Sequence, residues 1–226
     1  VLDWNGEIPV KKLIINFCAF VIFCSNFTSL ALAHHPLAGK QMVNFNDGFL
    51  SGIAHPLIGF DHLFFILGVG IICFLAKRIY IGPLFFVLGM SGGLFLIIMG
   101  YQLPEVELVI SLSLLLSGVV IFAWKKTNFN YIATAFCIIG LFHGWAFGET
   151  IIDQESSNIT IVSGYILGLS LMIWLISSFS GLTFKNISKL SDENDSKVKI
   201  SGGIIAGIGI FLILEDLENR VMSILV

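Results

Sequence analysis

The residues of this chain best suited to chemistry are histidines and carboxylates set inside apolar stretches, in two short clusters. The first reads Ala54-His55-Pro56-Leu57-Ile58-Gly59-Phe60-Asp61-His62, and the second Phe142-His143-Gly144-Trp145-Ala146-Phe147-Gly148-Glu149. Ionisable groups are costly in hydrocarbon, so several at one depth mark a site. Imidazole nitrogen with carboxylate oxygen suits nickel, cobalt, zinc or copper, and the donor types alone do not choose among them. Magnesium or calcium would want more oxygen. The same parts could activate a metal-bound water with Asp61 or Glu149 as general base, which makes an intramembrane metal-dependent hydrolase a second reading. The zinc-protease pattern HExxH is absent, and so is a nucleotide-binding loop, so no catalytic residue is assigned. In a third reading the histidines only hydrogen-bond between helices of an accessory membrane subunit.

Spacing decides how these donors can meet. Residues seven apart on a regular helix share a face but lie about 10 Å apart along its axis. His55 and His62 can therefore share an ion only if the helix is irregular between them. Pro56 and Gly59 both favour such an irregularity, and Pro56, which removes a backbone donor and disfavours helix at His55, sets the expected loop or break there. Asp61 points about 100° from His62 and either ligates directly or accepts a ring N–H of a neighbouring histidine. Gly144 and Gly148, four apart, admit a second helix close beside His143. Glu107, after Pro104, stands at the same membrane side, and His34 and His35 are further metal candidates at the amino end.

The elements that must position these residues are membrane helices. The chain has 226 residues, 56% hydrophobic and 12% charged, with mean hydropathy +0.94, more apolar surface than one soluble core can hide. No basic patch suggests nucleic acid. Cys73 and Cys137 lie inside apolar runs and read as buried thiols, and with Cys18 and Cys24 they form no disulfide framework. Lys11 and Lys12 precede an apolar stretch ending at Ala31-Leu32-Ala33, the pattern of a cleavable signal peptide over residues 1–33. Residues 34–226 then form a single transmembrane domain.

Windows long enough to cross the hydrocarbon fall near 50–76, 79–100, 106–124, 129–150, 158–180 and 200–216. The expected fold is an all-α integral membrane protein, a bundle of about six transmembrane helices with a polar cytoplasmic loop at about 185–199. The last span is expected to stop near Leu214. Lys77 and Arg78, Lys125 and Lys126, and Lys185, Lys189, Lys197 and Lys199 all fall on one side of such a bundle, which the positive-inside rule makes cytoplasmic. Both clusters and Glu107 then sit toward the outer leaflet. Spans one to three and four to six have the arrangement of an inverted repeat, without matching residues that the sequence makes obvious. The aromatic side chains Phe60, Phe64, Phe142, Trp145 and Phe147 are expected to serve packing before gating.

At this point the residues resemble a known family. Gly48-Phe49 leading into His55-Pro56-Leu57, then Gly59-Phe60-Asp61-His62, resembles the first-helix signature of the HupE/UreJ nickel/cobalt permeases. The second cluster resembles that family's other signature: Phe-His-Gly, an aromatic, Ala, commonly a second His, then Gly, a small residue and Glu. The chain keeps Phe142, His143, Gly144, Trp145, Ala146, Gly148 and Glu149 but has Phe147 where the second histidine is common, which removes one ligand or proton relay. The turn Leu103-Pro104-Glu105-Val106-Glu107 is also similar. The resemblance implies that His55, Asp61, His62, His143 and Glu149 serve uptake of Ni²⁺ or Co²⁺ from the periplasm across the bacterial inner membrane. It implies no cofactor beyond the transported cation, and service to hydrogenase, urease or cobalamin-linked enzymes.

Overall fold

A break in the helix that carries the first cluster sets the geometry of the interior. The computed structural model describes residues 42–153, 158–188 and 195–225, so the expected signal segment, His34 and His35 lie outside the described residues. The described residues form helices only: α1 Phe45–Ile58, α2 Phe60–Leu75, α3 Gly82–Ile98, α4 Val106–Phe122, α5 Phe129–Asp153, α6 Ile159–Ile187 and α7 Ser196–Leu225. Within α5, α6 and α7 the stretches Phe129–Glu149, Ile159–Ile187 and Ser196–Ser223 are long and apolar enough to cross a membrane. The pair α1–α2 passes the same test together but bends by 84°. The two remaining helices, α3 and α4, have 17 residues each, about 26 Å at 1.5 Å per residue, slightly short of a hydrocarbon core of about 30 Å.

The first expected span is thus two helices, and its break falls later than the proline suggested. α1 runs through His55 and Pro56 to Ile58, and Gly59 is the extended residue between the helices, with φ −79° and ψ 111°. Pro56 sits in the last turn of α1, where its missing N–H weakens the helix without ending it. Glycine, the poorest helix former after proline, completes the break. α2 restarts at once, with Leu63 N donating to the Gly59 carbonyl at 2.9 Å. At the other end of α1, Asn44 and Asp47 form a capping box that satisfies the first backbone donors.

Two other boundaries also differ from expectation. The polar stretch at 185–199 is shorter as a loop, because α6 continues to Ile187 and α7 begins at Ser196. Lys185 stands in the last turn of α6, where a cation favours the helix dipole, and Lys197 Nζ donates to the Ile187 carbonyl at 2.6 Å. The last helix does not stop at Leu214 but passes through Glu215 and Asp216 to Leu225. Arg220 holds this extension in place, donating to Asp216 one turn back at 2.8 Å and to Glu105 at the start of α4 at 2.5 Å.

Glycine seams assemble the bundle. Gly48 and Gly52 of α1 lie against the backbone of α6 at Ile161 and Tyr165, while Gly164 and Gly168 of α6 lie against Phe45 and Phe49, so these two helices run parallel. Gly89 and Gly93 of α3 lie against Cys137 and Leu141 of α5, and Gly140 and Gly144 of α5 against Phe86 and Met90, again in parallel. Gly118 of α4 meets Gly202 and Ala206 of α7, and Gly209 meets Leu115, in antiparallel order. A Cβ at these positions would overlap backbone atoms of the partner helix, as small-residue membrane interfaces require. α2 crosses the middle, packed on α6, α4 and α7. Exchanging α1–α2, α3 and α4 with α5, α6 and α7 turns the first seam into the second and the third into itself. That pairing pattern is the one an inverted repeat produces. The inner apolar residues, including Phe65, Ile66, Phe86, Met90, Leu94, Phe147 and Leu169, are fully buried, whereas Leu88, Phe95, Phe179, Phe211 and Leu214 present the apolar exterior that lipid would cover.

Candidate metal site

The bend at Gly59 does what a regular helix could not: it folds α2 back so that His62 approaches His55. Their ring centroids are 6.2 Å apart. Glycine at position 59 leaves room for these side chains, since a Cβ there would stand 2.9 Å from both Asp61 Oδ1 and His62 Cδ2. On the other side His62 meets His143, brought in by α5, at 5.6 Å between centroids. The two sequence clusters therefore join into one row of imidazoles, His55, His62 and His143, contributed by α1, α2 and α5. Burial deepens along the row: His55 is half-buried, His62 is 9% exposed and His143 is fully buried. Asp61 Oδ2 lies 3.6 Å from His62 Nδ1, close enough to orient and polarise that ring.

The tautomer of His143 follows from its one hydrogen bond. A carbonyl only accepts, so Nδ1 carries the proton and donates to the Ile139 carbonyl one turn back, at 3.2 Å. Nε2 then carries a lone pair, and it is buried without a hydrogen-bond partner. A backbone carbonyl behind one ring nitrogen and an unused lone pair on the other is the arrangement that prepares a histidine to ligate. The α3–α5 seam at Gly144 fixes the depth of this ring. Phe65 stacks on it at 4.4 Å and Phe86 meets its edge at 5.3 Å.

Phe147 occupies the centre of the row. Its ring lies 4.4 Å from His62, 5.1 Å from His55 and 6.5 Å from His143, and it is fully buried. Tyr165 of α6, also fully buried, donates its hydroxyl proton to the Phe147 carbonyl at 2.8 Å and presents its ring to His55 at 6.1 Å. Phe65, Phe86 and Tyr165 are site residues that sequence reasoning did not name. Tyr165 carried the best available signal, a polar aromatic in an otherwise apolar helix and adjacent to a seam glycine. Phe147 was expected to pack, and it packs against the imidazoles themselves. Trp145 instead pins the α3–α4 turn, donating Nε1–H to the Tyr101 carbonyl at 2.9 Å, while Phe60 faces outward, 63% exposed.

The remaining candidates are the exposed ones. Glu149 is exposed on α5, about 200° around the helix from Phe147. Glu107 is exposed in the first turn of α4. Among the described residues, no three His, Cys, Asp or Glu groups stand close enough to hold one ion. The pairs are nonetheless correctly spaced. Two imidazoles on one first-row ion, each with a metal–nitrogen bond of about 2.1 Å, place their centroids roughly 4.7–6.6 Å apart for angles of about 90–180°. Both 6.2 Å and 5.6 Å fall in that interval. The row sets imidazoles in neighbouring pairs rather than in a closed cage.

An all-helical bundle with a lipid-suited exterior and imidazoles at depth is a membrane protein with an internal polar site. Residues 22–212 match the family model described as HupE / UreJ protein, and the chain belongs to that family. It is 29% identical over 189 residues to Protein HupE of Rhizobium leguminosarum bv. viciae, a match covering 83% of this chain and 95% of that protein. No solved structure matches.

Proposed function

We propose that the chain is a secondary permease that imports Ni²⁺, with Co²⁺ as the related cargo, across the bacterial inner membrane. The observation that carries this reading is the row His55, His62, His143, drawn from two distant segments and graded from half-buried to fully buried. A resident catalytic ion needs three or more ligands on one centre. A transported ion needs successive positions, each weak enough to leave. Donor chemistry restricts the cargo to late first-row cations, and the family resemblance narrows it to nickel or cobalt.

In this mechanism the cation loses part of its water near Glu107 and Glu149 and is taken by His55 and His62 with ionised Asp61. It then passes to the lone pair of His143 Nε2 and leaves inward along α2. Three features support entry from the periplasm: the signal pattern before residue 34, the basic residues of alternate loops, and the exposed carboxylates Glu107 and Glu149 on the side opposite those loops. The parallel and antiparallel seams agree with six alternating spans, the bent pair counting as one.

The test is radiolabelled nickel uptake by transport-deficient cells producing this chain, beside His62→Ala at equal membrane abundance. Uptake by the parent and its loss in the variant is the expected result. No uptake of nickel or cobalt by abundant parent protein would overturn the reading.

A further inference from the structure

We propose that Phe147 is the gate of the cation path: its phenyl ring keeps the three imidazoles from closing on one ion, and it must turn aside for each ion to pass. The proposal rests on the permease reading and adds the residue that sets its affinity. Two independent observations carry it.

The first is contact. A single ring stands beside all three imidazoles, 5.1 Å from His55, 4.4 Å from His62 and 6.5 Å from His143 between centroids. The spacings of neighbouring imidazoles already suit a shared ion. What such a pair lacks is the third imidazole, and the fully buried phenyl ring of Phe147 lies against both His55 and His62. Phenyl offers no lone pair, and it excludes the water that could complete a coordination shell. With the ring in place, an ion held by His55, His62 and Asp61 is short of a full shell and weakly held. With the ring rotated, His143 or water can complete the shell.

The second is the pairing pattern of the seams. The exchange that maps the α1–α6 seam onto the α5–α3 seam sets Gly48 and Gly52 against Gly140 and Gly144. Three residues beyond the second glycine of each pair lie His55, in Gly52-Ile53-Ala54-His55, and Phe147, in Gly144-Trp145-Ala146-Phe147. Phe147 is thus the counterpart of a metal-candidate histidine, in a position the fold aims at the centre. Its backbone is fixed by the Tyr165 hydroxyl, so movement is confined to the side chain.

The experiment compares the parent, Phe147→Ala and Phe147→Leu, each purified in detergent and checked for monodispersity and thermal melting. Ni²⁺ binding is titrated calorimetrically, and nickel uptake is followed in cells. Phe147→Ala is expected to bind Ni²⁺ about ten-fold more tightly, the scale on which the surroundings of ligands tune metal affinity. Its maximal uptake should fall several-fold because release slows. Phe147→Leu, smaller than phenyl but still filling space, should lie between, and it stands in if the alanine variant does not fold. Binding and maximal uptake within two-fold of the parent in a folded variant would overturn the gate while parental uptake upholds the permease. Absence of uptake by the parent itself would remove the permease and the gate with it.

Discussion

The imidazole row and the carboxylate rim offer the same kind of cation two different environments. His62 and His143 are buried among aromatic rings, while Glu107 and Glu149 are exposed. The physical reason is charge. A neutral imidazole costs little to bury, and one backbone bond, like that from His143 Nδ1 to Ile139, meets half its needs. An ionised carboxylate at depth needs a compensating charge at once. Asp61 marks the transition: its side chain is 26% exposed and it faces the Nδ1 edge of His62. Donors are therefore sorted by depth, anionic where water remains and neutral where it does not. In the proposed permease, capture and transfer fall to different regions, and variants should separate them.

The largest separation is expected at the buried end. His143→Ala removes the only donor contributed by α5 to the row and should reduce nickel uptake by at least about ten-fold, at unchanged membrane abundance. Uptake near the parental level would place the path elsewhere in the bundle.

A smaller effect is expected at the hinge that joins the regions. Gly59→Ala adds a Cβ 2.9 Å from Asp61 Oδ1 and His62 Cδ2, closer than carbon contacts tolerate. Relieving that overlap moves the ring that bridges His55 and His143. The variant should lose about 1–3 kcal/mol of stability, the usual cost of overpacking, and several-fold in uptake. A melting temperature and an uptake rate equal to the parent's would mean that the bend does not position His62.

The sequence made the two clusters legible because ionisable residues in apolar runs are conspicuous, and it made the helical class legible because hydropathy depends on composition alone. It placed a helix irregularity between His55 and His62 and pointed to both Pro56 and Gly59, but set the break itself at the proline. Helix breaking at this site depended on Gly59, three residues on, and on which side the restarted helix could pack. The ends of α6 and α7 were misjudged for a related reason. Lys185 and Asp216 look like loop residues until the Lys197–Ile187 and Arg220–Asp216 contacts are known. The resemblance set Phe147 where a histidine is common, but its packing beside the imidazoles was not legible, because aromatic residues fill most membrane interiors. Only three-dimensional neighbours distinguish a ring beside three imidazoles from one among leucines. Glu107 and Glu149, near the clusters in sequence or expected depth, turned out to be exposed because side-chain direction on a helix depends on which face its partners take.

The smallest expected effect belongs to the rim. Exposed carboxylates act on a cation through a screened field, and an interaction of that kind raises local concentration without entering the path. Glu149→Gln should therefore raise the nickel concentration giving half-maximal uptake by about two- to five-fold and leave the maximal rate unchanged. Added monovalent salt should shrink the difference, since the Debye length falls from about 10 Å at 0.1 M to about 3 Å at 1 M. Glu107→Gln should behave in the same way, and the double variant should combine the two effects. A fall in maximal rate comparable with that of His143→Ala would break the comparison. Glu149 would then have to turn inward during transport, and the row of ligands would extend from the imidazoles to the membrane surface.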